Sequence, residues 1–482
     1  MDVNMNILEF KNNQKIKRAD IPVMDYESFS KKILPYEVRV INLFAKKEDG
    51  KNRLYCIFAD DKNKKLFLTT TYVGESYPSL TLSKPCLHLF ERLIYEETGI
   101  MPEGHPFLKP VRKQEGNTYK FLESHDIQTH EVAVGPVHAG IIEPGHFRFL
   151  CNGERVIHLE IQLGFQHRGI EDLLRKRPSI QLAESICGDE TIAQSLAYAR
   201  AMESLSNIEI TQREKLIRLI ALEMERMAIH VGDIGAVAGD VAYSIGANVL
   251  GVTRTLVINT MLELSGSRFG KGLMKFGGVN FDIDLTMRTK ILNMLEEVCD
   301  RTDKMVEAMF AHATVISRLE NTGFVGKKKA REIGLVGMAA RAAGEEFDAR
   351  VFDDYEDFEI TTMKTGDVYA RTYLRYLEIK KSAKIIKNLL NKLEDTETEI
   401  NNKRFSLNLE PDCFVFSIVE GWRGEVAHCV MTDKNSYIET YKIKGASFNN
   451  WFGLALAVRN NQISDFPVCN KSFNLSYCGF DL

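Results

Sequence analysis

GPVHAGIIEPGHFRFLCNGERVIHLEIQLGFQHRGIEDLL at 135–174, followed by AESICGDETIAQ at 183–194, is the stretch on which the reading of this chain turns. Its first part is dense in His, Arg and Glu and punctuated by Gly135, Gly140, Gly145, Gly153, Gly164 and Gly169. Downstream, 193–205 carries a helical pattern, and between the two sits Cys187-Gly188, a small thiol-bearing turn feeding a helix start. Orphan N–H groups and the helix dipole favour negative charge at such a place, so the turn can present a thiolate to a metal. The plainer alternative is a buried cysteine at a tight turn, which packs as a small apolar group.

Outward from this stretch, the chain divides by pattern. At 482 residues it has room for roughly two to four domain-sized units. Residues 1–33 are rich in Lys and Asn with weak periodicity, which predicts a partly ordered arm. Over 38–73 three short apolar runs alternate with the turn clusters EDGKN and DKNK, the pattern of an antiparallel meander. A helix follows over 85–99, with Gly99 placed to end it. A small α+β unit is therefore expected over 34–112, a polar linker over 113–130 and one larger unit over 131–482.

The larger unit opens with strands to about residue 165 and then turns mainly helical. Thr211-Gln-Arg-Glu214 is a capping box that opens a long helix to about Val231. On a helical wheel Leu216, Leu219, Ile220, Glu223, Met227 and His230 share one side. Glu223 and His230 on an apolar face are either satisfied core polar groups or a protonatable pair in a low-dielectric site. Strand patterns return from Cys413, followed by a helix at about 448–458 and a tail bearing Cys469 and Cys478. The fold class is thus α+β, a small N-terminal unit followed by a mainly helical one with peripheral strands.

Composition excludes several roles. Lys+Arg 62 against Asp+Glu 66, a net charge of −4, argues against a nucleic-acid platform. The nine cysteines form no CxxC pair, so free thiols in a reducing setting are expected. No run of about eighteen apolar residues stands out, so attachment to a membrane is expected to be peripheral, through partners.

Several longer pieces resemble known families. FERLIYEETGIMPEGHPFLKPVR (90–112) resembles the 30-kDa subunit of respiratory complex I. GPVH (135–138), GFQHRGIE (164–171), LEMERMAIHVGDIGA (222–236), GGVNFD (277–282), GLVGMAARAAG (334–344) and GDVYARTYLRYLE (366–378) resemble the complex I 49-kDa subunit and the large subunits of membrane-bound [NiFe] hydrogenases. A fusion of the two parts resembles the formate-hydrogenlyase type of large subunit.

The resemblance implies a metal pocket and, at once, its loss. The family's nickel–iron site needs four thiolates from two CxxC pairs, since soft sulfur ligands hold the nickel. Laid on those pairs, this sequence offers Cys187 and Glu190, then Ser476 and Gly479, with Cys478 inside the second motif but out of register. No metal is therefore expected, and Cys187 is a vestigial ligand position. The quinone headgroup site of complex I implies a His, for which His138 and His146 are candidates, and a Tyr that falls on Gly188. Tyr198 and Tyr477 are possible substitutes.

What the resemblance retains is a polar frame: His167, Arg168, Glu171, Glu223, Arg226, His230, Asp233, Arg341, Asp367, Arg371 and Glu378. It implies His167, Arg168, Glu190, Glu223 and His230 as proton-handling groups, and His138, His146, Cys187, Gly188, Ser476 and Cys478 as the lining of the cofactor or quinone position. It also implies a [4Fe–4S]-bearing small subunit and antiporter-like membrane subunits as partners, on the cytoplasmic side of the cell membrane. The expected function is electron transfer coupled to ion movement without a nickel–iron site. A quinone reductase with an altered headgroup contact and a non-catalytic coupling subunit are the alternatives.

Overall fold

The computed structural model describes residues 6–112, 119–140, 142–353, 355–356, 358–396, 400–401 and 403–482. The meander expected over 38–73 is present as strands Arg39–Glu48, Lys51–Asp60 and Lys65–Val73, joined antiparallel with Leu43 opposite Cys56 and Tyr55 opposite Thr70. Its first turn is made by Asp49 and Gly50, both at positive φ, the conformation that a two-residue hairpin between twisted strands demands. Helix His88–Thr98 packs on this sheet and ends at Gly99, whose φ of 77° lets its N–H reach the Tyr95 carbonyl.

Residues 6–33 are not the loose arm that weak periodicity suggests. Leu8–Phe10 pairs with Lys65–Val73, Val23–Met24 pairs with the same strand from the other direction, and Lys15–Lys17 crosses to the C-terminal sheet, where Ile16 lies opposite Phe414. Asp25 then caps helix Tyr26–Ile33, which buries Phe29 and Ile33. Strands of two or three residues are too short to show a period. Their order comes from ladders offered by distant segments and from contacts such as Lys15 and Lys17 with Glu410 at 3.1 and 3.2 Å.

Of the expected linker, 113–118 lies outside the described residues, and 119–129 has no regular structure but is tied down. Tyr119 Oη and the Leu122 N–H both donate to Glu160, at 3.1 and 3.0 Å. The ring of Phe90 lies 5.0 Å from that of Phe448, and the Arg112 Nε–H donates to the Phe480 carbonyl at 3.0 Å. The N-terminal unit and the 131–482 part therefore share packed surface.

The second part begins with sheet His130–Val134, His146–Asn152 and Arg155–Gln162 and then becomes helical. Its axis is helix Gln212–Asp240, 29 residues and about 44 Å long. The capping box is formed as expected, but the helix runs nine residues past Val231. It is also buried nearly all round rather than on one side, because helices Thr191–Leu205, Ser244–Ser265, Val368–Glu394 and Phe466–Phe473 surround it. A Cβ at Gly235 would lie 3.0 Å from that of Leu250, which explains the small residues where the helix Ser244–Ser265 closes on the central one.

That neighbouring helix, Ser244–Ser265, amends one expectation. By length and composition it is apolar enough to cross a membrane, although threonines and asparagines interrupt the apolar run in the sequence. It lies between the central helix and Leu285–Ala311, leaving Ile245 and Val252 exposed. The C-terminal sheet, Cys413–Glu420, Glu425–Thr432 and Ile438–Lys444, has its first two strands buried along their whole length. Helices Ala446–Ala457 and Phe466–Phe473 then lead into the short helix Cys478–Asp481.

Candidate functional site

The turn at 185–190 and the C-terminal tail meet, although they are far apart in sequence. Helix Ile180–Glu184 ends at Ser185, and the chain turns through Ile186 to Glu190 before helix Thr191–Leu205. The first amides of that second helix do not serve Cys187, as the dipole argument had suggested. The N–H groups of Ile192 and Ala193 donate to the buried Glu225 carboxylate at 2.7 and 3.3 Å. Burial pushes Glu225 well above the usual carboxylate range.

Cys187 instead faces the tail. Its Sγ lies 3.2 Å from Ser476 Oγ and donates to Asp189 Oδ1 at 3.0 Å. Ser476 Oγ also lies 3.4 Å from Cys478 Sγ and accepts the Gly479 N–H at 2.8 Å, while a Cβ at Gly479 would sit 3.7 Å from the Cys187 Cβ. Cys187, Ser476, Cys478 and Gly479 are thus one cluster. The neighbouring Cys478 and burial raise the Cys187 thiol well above its ordinary value. Asp189 is held in place by two bonds from Arg423, at 2.8 and 2.7 Å, which outweigh burial and keep it below the usual carboxylate range. Gly188 is exposed, and a Cβ there would meet nothing within 4 Å.

Glu190 points the other way, into the core. Burial pushes it up to about 7, against the pull of Arg423, and its Oε1 has no hydrogen-bond partner. Its Oε2 accepts from Gln194 Nε2 at 3.1 Å, and Gln194 Oε1 lies 3.0 Å from His428 Nε2, whose Nδ1 lies 2.8 Å from Tyr441 Oη. The amide oxygen can only accept, so His428 Nε2 carries the proton and Nδ1 accepts from Tyr441. Burial holds His428 neutral, down to about 3. Arg423, His428 and Glu225 carry no sequence signal for this site, because each reaches it from an element that the local pattern does not link to the turn.

The remaining expected site residues fall into different groups. His167 Nδ1 lies 2.7 Å from the Asp481 carbonyl, and Arg168 donates to the carbonyls of Ser185 and Ile186, both at 2.9 Å. These two exposed side chains hold the tail against the turn. His138 and His146 bond to the backbone of their own loop, at Gly145 and Gly135, at 2.8 and 3.0 Å. His146 Nε2 is left without a partner. That loop touches the tail, because Glu143 accepts the Cys478 N–H at 3.2 Å and Gly145 packs on the Tyr477 ring.

Glu223 and His230 do not form a pair. Glu223 accepts from Arg226 at 3.1 Å, Ser382 at 2.5 Å and Tyr355 at 2.9 Å. Although burial opposes ionisation, Arg226 and Arg350 hold Glu223 below the usual range. His230 is fully buried, both ring nitrogens are unpartnered, and desolvation keeps it neutral. Beyond Glu223, Arg350 donates to Asp348 and Glu378 at 2.7 and 2.6 Å, and Arg341 pairs with Asp348. Arg226 borders both regions, donating to the Gly421 and Glu420 carbonyls at 2.9 and 2.5 Å. Among the described residues, no group of three His, Cys, Asp or Glu side chains is arranged to hold a metal ion.

Residues 248–414 match the family model "Respiratory-chain NADH dehydrogenase, 49 Kd subunit". The chain is 28% identical to hydrogenase-4 component G of Escherichia coli, over 84% of this chain and 75% of that one. It is 25% identical to formate hydrogenlyase subunit 5 of the same organism, over 90% and 82%. A chain in the structure of the membrane-bound sulfane sulfur reductase, an archaeal respiratory membrane complex, superposes with a TM-score of 0.68 at 25% identity, over 75% of this chain and all of that one.

Proposed function

From the match of residues 248–414 to the complex I 49-kDa subunit model, and from similarity to hydrogenase-4 and formate hydrogenlyase subunits, we propose an electron-transfer role for this chain. It is a subunit of a membrane-associated, energy-converting redox complex whose chemistry does not use a nickel–iron centre. One observation carries this reading. The turn and tail that would supply two facing thiolate pairs do come together, but they bring Cys187, Glu190, Ser476 and Gly479. A serine hydroxyl, a glycine and a core-facing carboxyl do not make that donor set, so nickel and iron do not fit these residues.

Electrons would arrive from a partner subunit carrying a [4Fe–4S] cluster, with the chain held at the cytoplasmic face of the membrane by antiporter-like subunits. The 34–112 unit would play the part of the complex I 30-kDa subunit. Glu190 is the proton-handling group best placed for such a reaction. It is poised near neutrality, has one free oxygen, and connects through Gln194 and His428 to Tyr441. A group that titrates near the working pH can both take and give a proton. The charges around Glu223 and Arg350 form the core on which a coupling movement would act.

Elemental analysis of the purified complex tests the reading directly, with no stoichiometric nickel expected. Nickel at one atom per chain would overturn it. Quinone reduction is the second reading, supported by the buried His146 Nε2 that lacks a partner beside the loop contacting Tyr477. A photoreactive quinone should then label the 135–146 loop or the tail, and labelling confined elsewhere ends that alternative.

A further inference from the structure

We propose that Cys187 and Cys478 form a thiol–disulfide centre that reacts with a small disulfide, R–S–S–R, Cys478 being the attacking sulfur and Cys187 the resolving one. The two sulfurs flank Ser476 Oγ at 3.2 and 3.4 Å. Their order follows from their surroundings. Cys187 is 1% exposed and donates its S–H hydrogen bond to Asp189, whereas Cys478 lies partly open. The two neighbouring thiols shift each other in opposite directions, Cys187 up and Cys478 down, so the more accessible sulfur is the better thiolate. Arg423 Nη1, 3.5 Å from Cys187 Sγ, offers a positive charge to the sulfur that must ionise second. Gly188 leaves the surface beside Cys187 open, and Glu143 at the Cys478 N–H favours an uncharged R over an anionic one.

The exchange balances without another reactant. The Cys478 thiolate attacks one sulfur of R–S–S–R, the S–S bond breaks, and R–S⁻ leaves with the proton that Cys187 gives up. The Cys187 thiolate then attacks Cys478 Sγ, releases the second R–S⁻ and closes the protein disulfide. Two electrons pass from the protein thiols to the small disulfide. Return of the thiols takes two electrons, delivered one at a time from the iron–sulfur partner, and two protons from solvent, and this step alone rests on the electron-transfer role proposed above.

The reduced full-length chain treated with 4,4′-dithiodipyridine, a neutral disulfide, tests the centre. The wild type should release two thiopyridones from this pair, lose two hydrogens in mass, and yield a linked peptide containing Cys187 and Cys478. The C187S variant should release one and keep a pyridylthio group on Cys478. A stable pyridylthio adduct on Cys478 of the wild type, or reaction at other cysteines only, would overturn the proposal. The wild-type readout needs no variant to fold and no partner to bind. It therefore stands or falls apart from the electron-transfer role, which copurification with an iron–sulfur subunit tests.

Discussion

The core of this protein handles buried polarity in two contrasting ways on either side of Arg226. Around Glu223, Asp348, Arg350 and Glu378 it is built of full charges that answer one another at 2.6–3.1 Å. Around Cys187, Glu190 and Ser476 it is built mostly of small groups beside the Asp189–Arg423 pair, with Glu190 Oε1 left unpaired. A buried charge cluster resists change, because altering one member leaves the others in a medium that solvates them poorly. Small neutral groups can be exchanged at smaller cost.

The contrast breaks first at Arg350. Arg350→Met takes a shared cation from Asp348, Glu378 and Glu223, leaving Arg341 alone to face the first two, and should cost about 3–5 kcal/mol in denaturant unfolding. A loss below about 1 kcal/mol would mean that the cluster is solvated and not closed. The next effect belongs to Glu190. It keeps its proton in the fold at pH values where an unfolded glutamate, near 4.5, has lost it. Stability therefore declines as pH rises from about 4.5 to about 7 and levels off above that. Glu190→Gln should remove that part of the slope and leave the variant more stable above pH 7, by on the order of 3 kcal/mol. Parallel pH profiles for wild type and variant would show that Glu190 is already solvated.

Two smaller changes sharpen the comparison. Ser476→Ala removes the hydroxyl shared by Cys187, Cys478 and the Gly479 N–H, and should lower stability by about 1–2 kcal/mol in thermal unfolding. Gly188→Ala should change it by less than about 0.5 kcal/mol, since the new methyl meets nothing. A large loss at Gly188 would show the turn to be strained in a way its open surroundings do not suggest.

The parts of the fold legible in the sequence were those with a local cause. The Thr211–Glu214 box, the Gly99 stop and the EDGKN turn each depend on neighbours within four residues. The tail was placed beside Cys187 only through resemblance, and its detail was not foreseen. Arg423 reaches Asp189 across 234 residues, and His428 reaches Gln194 across the same span. No periodicity records such pairs, because each end is locally just a strand or turn residue. His167 and Arg168 show the reverse case, since the contacts they make are to backbone carbonyls of the tail and the turn, which no local pattern records.

The strand Lys15–Lys17 has a consequence for how the chain is made. Its ladder partner is Cys413–Glu420, with Lys15 opposite Val415. At roughly 5–20 residues per second on the ribosome, its partner is synthesised tens of seconds later. During that interval a bare strand edge waits, and its alternating lysines discourage it from pairing with another molecule. The sheet over 413–444 is thus completed by a strand made long before it, and this closure cannot happen until residues 413–415 have emerged.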